Sequence, residues 1–215
     1  MIQIGDDDME ENMEKHFTSI YNPKPANSYT YLSTGGETVC GRGSMKKHNV
    51  QFLDYLQSIV NDFNVKTIVD VGCGDLNYIS PFLRNNPQID YTGIDISKPL
   101  IERNKQMFPN FNFEHHNICE SFPTQNFDLC IIKEVFIHIS PRMVSKTLGR
   151  IKQQNNVKHL LITGHTQECQ LEGGLGRDKD SDYGNFSYHF TSLDGDYLSE
   201  MIDCDVRLSR LYSID

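Results

Sequence analysis

The residues best suited to chemistry lie in a few short stretches. Gly72-Cys73-Gly74 directly follows the apolar run Ile68-Val69-Asp70-Val71. That order predicts a strand, a tight turn and a helix start, the layout of a nucleotide-binding corner. Glycine lets the backbone approach a ligand closely, and a helix start presents N–H groups with no partner inside the helix. A pyrophosphate, a phosphate or a sulfonium amino acid can sit at such a turn. About twenty residues further on comes Asp95, the spacing at which an acid accepts hydrogen bonds from ribose hydroxyls. Asn117 and Ile118 follow a third apolar run and suit the amino edge and the face of an adenine. Lys133 and Glu134 follow a fourth. His138, His165 and Glu134 are the candidate general bases, each just past a strand-like run.

These residues need a scaffold that brings strand ends together. Strand-like runs occur at 66–71, 90–95, 111–115, 127–132 and 157–163, with helical patterns at 45–63, 76–86, 97–108 and 142–154. Ser44 is placed to cap the first helix. Strands alternating with helices predict an α/β fold, doubly wound, with a mostly parallel sheet covered by helices on both faces. The continuous apolar runs CII and LLI fit strands buried on two sides. In such sheets ligands bind beyond the C-terminal strand ends, where the strand order reverses. Residues 186–191 and 205–212 are expected as final strands, the latter added antiparallel at the sheet edge.

The chain has 215 residues, 38% of them hydrophobic, enough for a single domain with a sizeable core. The net charge is −9, and more than half of it falls in residues 1–15, where Asp6, Asp7, Asp8, Glu10, Glu11 and Glu14 face only Lys15. That segment is expected to be a disordered acidic leader. Residues 16–44 are expected to be an irregular arm, 45–215 the domain proper, and 166–185 a lid-like loop. No basic stripe appears, so strong nucleic-acid binding is not expected. No apolar stretch reaches the roughly 20 residues that span a bilayer, and the start lacks a signal-peptide pattern, so a cytoplasmic location is expected. The six cysteines form no CxxC pair. A metal site is therefore not expected, and Cys73 and Cys130 read as small apolar packing groups. The stretch Asp178–Gly184 departs from a calcium loop at its sixth and twelfth positions.

Gly72 and Gly74 match the first two glycines of the dinucleotide fingerprint, but the third position is Asn77, which counts against NAD. Asp70, an acid inside an apolar strand, shifts the reading further. Val69-Asp70-Val71-Gly72-Cys73-Gly74-Asp75 closely resembles the first motif of class I S-adenosylmethionine (SAM) methyltransferases. Gly93-Ile94-Asp95-Ile96-Ser97 resembles their second motif, and Phe127 to Ser140 their fourth-strand motif. Gly36 to Ser44 is similar to an N-terminal signature in a group of small methyltransferases. The resemblance spans about residues 45 to 165 and implies SAM as cofactor. It implies Gly72 and Gly74 at the methionine part with Asp70 organising the turn, and Asp95 and Ile96 at the ribose end. It further implies Asn117 and Ile118 at the adenine, and Lys133 and Arg42 among the cofactor contacts, Arg42 at the carboxylate. Asn117 stands where many relatives carry aspartate.

The acceptor is less legible. Arg177 to Thr191 mixes Asp, Asn, Tyr, Phe and His, which suits a polar hydroxylated small molecule such as a sugar or sugar nucleotide. His189 reads as core or acceptor-pocket lining. O-methylation of a small polar acceptor is the favoured expectation. The alternatives are N- or O-methylation of another metabolite or a macromolecule, an NAD-dependent oxidoreductase, and a non-catalytic scaffold. Oligomeric state is not legible.

Overall fold

The computed structural model describes residues 6–20, 29–165, 196–203 and 207–214. Six helices (α1 Asp6–Ile20, α2 Tyr29–Ser33, α3 Val50–Asp62, α4 Ser80–Asn85, α5 Lys98–Met107, α6 Pro141–Gln154) accompany seven strands. The strands are β1 Thr67–Val71, β2 Asp90–Asp95, β3 Asn112–His115, β4 Phe127–Lys133, β5 Val157–His165, β6 Asp196–Asp203 and β7 Arg207–Ser213. They form one sheet in the order β3-β2-β1-β4-β5-β7-β6. The first five strands are parallel, and β7 runs antiparallel to both β5 and β6. The expected doubly wound fold is present. The order reverses between β1 and β4, so the glycine turn after β1 lies at the switch point where such sheets bind ligands.

The strand period of two divides the core into two faces. Ile68, Leu129, Ile131 and Leu161 pack with Phe52, Leu56 and Ile59 of α3 and with Phe82 and Leu83 of α4. Val69, Val71, Cys130, Ile132 and Leu160 face the other way, against Met143, Val144 and Ile151 of α6. Each such fully buried aliphatic or aromatic side chain contributes about 1.5–3 kcal/mol. α6 starts where Ser140 accepts the Met143 N–H at 3.3 Å with Pro141 behind it, and stops at Asn155 in the left-handed region.

Two expectations are corrected and one strand is added. The acidic start is not a disordered leader over its whole length: residues 6–20 form α1. Met13 and Phe17, one helical turn apart, are buried in the second core face, and this i, i+4 apolar pair supplies the docking energy that average composition concealed. Ser44 does not cap α3. It lies in a 3-10 turn, and the N-cap is Asn49. β6 was unmarked in the sequence because DYLSEMID has little β-branched or alternating character. It is an edge strand fixed by its pairing with β7. The expected strand 186–191 and the loop 166–185 lie outside the described residues. β7 overlaps the strand expected at 205–212, ending one residue later, and lies between β5 and the edge strand β6 rather than at the edge itself.

Candidate active site

One cavity of about 360 Å³ opens over the C-terminal ends of β1, β2 and β4. The glycine turn forms its floor. Gly72 and Gly74 have φ of 69° and 56°, in the left-handed region that L side chains rarely adopt. Added Cβ atoms there would sit 2.5 Å from Val135 Cγ2 and 2.6 Å from Cys40 Sγ. The turn is therefore wedged between the loop after β4 and the N-terminal arm, with its backbone against the cavity. The N–H groups of Gly72 and Cys73 donate to the Ile94 carbonyl at 2.8 and 3.1 Å. The Gly74 N–H donates to Asp95 Oδ2 at 3.0 Å, and Ser97 N–H to Asp95 Oδ1 at 2.8 Å. Each carboxylate oxygen of Asp95 thus accepts one backbone donor and keeps a further lone pair for a ligand hydroxyl. Burial pushes the Asp95 carboxyl up from its ordinary value, and the two backbone donors oppose that rise.

Ile96, Leu100 and Ile118 line the next part of the cavity with apolar faces. Asn117 also lines it, but its side chain is engaged locally. Oδ1 accepts the Cys119 N–H at 3.0 Å, and Nδ2 donates to the Glu120 carboxylate. The arm supplies the opposite wall through Cys40, Gly41, Arg42, Gly43 and Ser44. The cavity is also lined by Met13 and Phe17 of α1 and by Val135, Ile137, His138 and Ile139 after β4. The Phe17 ring packs edge-on to His138 with centroids 6.2 Å apart.

Two expected cofactor contacts are engaged with other protein groups. Asp70 is 1% exposed and is not on the cavity wall. It does not organise the turn by hydrogen bonding, a task that falls to the Ile94 carbonyl and Asp95. Instead its Oδ2 accepts the Tyr91 hydroxyl at 2.8 Å. Burial pushes the Asp70 carboxyl up to about 7, against the Tyr91 hydrogen bond and the Lys133 charge. Lys133 lines the cavity, yet its ammonium is taken up by Glu134 at 2.8 Å and the Gly43 carbonyl at 3.2 Å, over the Tyr78 ring at 4.9 Å. Burial lowers its pKa. It ties the arm to the sheet.

Among the candidate bases, Glu134 lies on the cavity but is paired with Lys133 and, at 3.7 Å, with Arg207. A carboxylate committed to two cations is poorly placed to accept a proton. His165 ends β5 opposite Arg207, and its side chain lies outside the described residues, as do His189 and the Asp178–Gly184 stretch. His138 is half-buried on the cavity wall. Sequence reasoning missed Leu100, Tyr78 and the arm residues Cys40, Gly41, Gly43 and Ser44. Of these, only the arm carried a signal, the glycine pair flanking Arg42. No group of three or more metal-ligating side chains occurs among the described residues, and none of their helices is long and apolar enough to cross a membrane.

The glycine cradle, the buried acid with spare lone pairs and the apolar plates fit an adenosyl amino acid. Residues 69–168 match the family model described as "Methyltransferase domain". The chain is 32% identical over 123 residues to the 235L protein of Invertebrate iridescent virus 6, which carries a provisional methyltransferase name. That alignment covers 49% of this chain and 44% of the viral protein. It is 30% identical over 71 residues to trans-aconitate 2-methyltransferase of Rhodopseudomonas palustris, covering 33% of this chain and 28% of that enzyme. The chain thus spans less than half the length of these curated relatives. Among solved structures, the methyltransferase domain of bacterial CtHen1-C superposes with a TM-score of 0.58 at 15% identity, covering 77% of this chain and 97% of that one. N-methyltransferase NodS of Bradyrhizobium japonicum, solved with S-adenosyl-L-homocysteine, superposes with a TM-score of 0.51 at 12% identity, covering 86% and 97%. These likenesses show a shared fold. The seven-stranded sheet has the fold of these solved methyltransferases, and residues 69–168 are similar to a methyltransferase domain.

Proposed function

We propose that the protein transfers the methyl group of SAM to a hydroxyl of a small polar acceptor, a sugar or sugar nucleotide. The observation that carries the reading is one continuous cavity lined by the glycine turn and Arg42, by Asp95 at the end of β2 and by His138 beyond β4. In this reading Arg42 binds the amino-acid carboxylate, since none of the described contacts assigns it an ionic partner. Asp95 accepts the ribose hydroxyls. Ile96, Leu100 and Ile118 hold the adenine, with Asn117 at its edge offering the lone pair left on Oδ1. When bound, SAM supplies an electrophilic methyl on a sulfonium, and transfer is an in-line displacement governed mainly by positioning.

A neutral hydroxyl is a weak nucleophile and needs its proton removed. His138, half-buried on the cavity wall beyond β4, takes that role in this reading. The aromatic and polar segment 177–191, which motivates a sugar, lies outside the described residues.

The test is a transfer screen of the purified protein with methyl-labelled SAM against sugars, sugar nucleotides, amines, protein and RNA. Label on sugars or sugar nucleotides is expected. Label confined to macromolecules or to amines overturns the acceptor assignment. Calorimetric titration with SAM and with NAD separates this reading from an oxidoreductase, with binding of SAM alone expected.

A further inference from the structure

The segment from Glu37 to Asn49 contains little regular structure, yet it forms one wall of the cavity and is held in place at both ends. At one end Asp75, 7% exposed, gathers it to the glycine turn. Asp75 Oδ2 accepts the Thr38 hydroxyl at 2.8 Å and the Val39 N–H at 3.0 Å. The Asp75 N–H in turn donates to Cys40 Sγ at 3.3 Å. Asn77 completes this attachment. Its Nδ2 donates to Glu37 Oε1 at 2.8 Å and to the Ser44 carbonyl at 2.9 Å, so a single amide bridges the two ends of the 37–44 loop. Glu37 Oε1 also accepts the Lys46 N–H at 2.8 Å. At the other end Asn49 Nδ2 donates to the carbonyls of Gly43 and Met45 at 2.8 and 2.7 Å. The Gly43 carbonyl also receives Lys133 and, at 3.4 Å, Arg207.

We propose that Asn77, with Glu37 as its acceptor, is a positioning residue that latches the 37–44 loop onto the glycine turn and thereby sets affinity for the amino-acid end of the cofactor. This rests on the SAM reading of the cavity. Cys40 to Ser44 line the cavity between the Asp75 attachment and the Gly43 attachment, and the Asn77 amide closes the base of that loop. Without the bridge, Arg42 is carried on a loop tethered at fewer points, and ordering it on binding costs conformational entropy. The same geometry explains why an asparagine stands where a dinucleotide fingerprint has glycine. Leu76 is held at φ 58°, which turns the chain so that the next side chain meets the arm. A glycine at 77 would leave the loop base open.

The test compares two probes, S-adenosylhomocysteine, which has the amino-acid end, and 5′-methylthioadenosine, which lacks it. Both are titrated calorimetrically into the full chain. Asn77→Ala is expected to weaken S-adenosylhomocysteine about tenfold, ~1.4 kcal/mol, and to leave methylthioadenosine within twofold. Glu37→Ala should do the same, while Glu37→Gln, which keeps an Oε1 acceptor, should stay near the wild type. Equal weakening of both probes shows a general loss of structure and overturns the proposal, as does no change in either. If the wild type binds neither probe, the cofactor reading fails. The latch is then judged by amide exchange, where unchanged protection at the Lys46 N–H in Asn77→Ala overturns it.

Discussion

The two walls of the cavity are built by different physics. The glycine turn hangs from the sheet, and its amides are satisfied by Ile94 and Asp95 of the neighbouring strand. The arm opposite has no strand to lean on. Side-chain oxygens and amides of Asp75, Asn77, Glu37 and Asn49 satisfy its backbone one group at a time. A sheet-held wall fails as a unit because its ladder is cooperative. An arm held by separate hydrogen bonds loses about 0.5–1.5 kcal/mol per bond removed. The first wall is therefore the stiffer of the two, and the second can be loosened one bond at a time.

That contrast orders the expected effects. Gly74→Val should be the most severe, because it forces a β-branched residue to φ 56° and drives its Cβ into Cys40 Sγ. A loss of roughly a hundredfold in S-adenosylhomocysteine affinity, about 2.7 kcal/mol, is expected by calorimetry. Asp95→Ala comes next. It leaves the Gly74 and Ser97 N–H groups without their carboxylate. A destabilisation of about 2 kcal/mol is expected in urea unfolding, alongside weaker binding of any ribose-bearing probe. If either change costs no more than Asn77→Ala, the two walls are not mechanically distinct.

Smaller effects probe the strands beneath the first wall through pH. Asp70 has a carboxyl raised from 3.8 to about 7. The unfolded chain therefore releases this proton first as pH rises. The stability that Asp70 contributes is complete below about pH 4, declines as pH climbs, and is gone above about 7. Asp70→Asn should remove that slope from a series of unfolding curves between pH 4 and 8. Asp128 at the start of β4 behaves oppositely. Burial alone would raise its pKa, but Lys158 and the N–H groups of Lys66 and Thr67 hold it down at about 2. Its contribution is present above about pH 4 and is lost as pH falls toward 2. Asp128→Asn should flatten that acid limb, with a small and salt-dependent effect because Lys158 is largely exposed.

Much of the first wall was legible from the chain itself. Five parallel strands, their intervening helices and the turn at Gly72 to Gly74 follow from hydrophobic period and glycine placement, which are local properties. Even so, Asp70 showed the limit of motif reading. An acid at that position looks like a ligand to the turn, yet alternation along β1 and pairing with β2 put it beside Tyr91, away from the cavity. α1 was hidden for a related reason. Its two docking residues, Met13 and Phe17, are a small minority in an acidic segment, and only the face built by α6, β4 and β5 makes them a buried pair.

The amino-acid sequence by itself determined the fold class, the place of the switch point and the acid at the end of β2, because periodicity and turn chemistry act over a few residues. Tertiary structure alone decided which polar side chains serve the wall rather than the ligand. Glu134 meets a second cation, Arg207, and both Lys133 and Arg207 reach the Gly43 carbonyl only because β7 and the arm are brought beside the end of β4. Asn77 meets Glu37 across 40 positions of chain. Burial and long-range hydrogen bonding set those roles, and neither has a local signature in sequence.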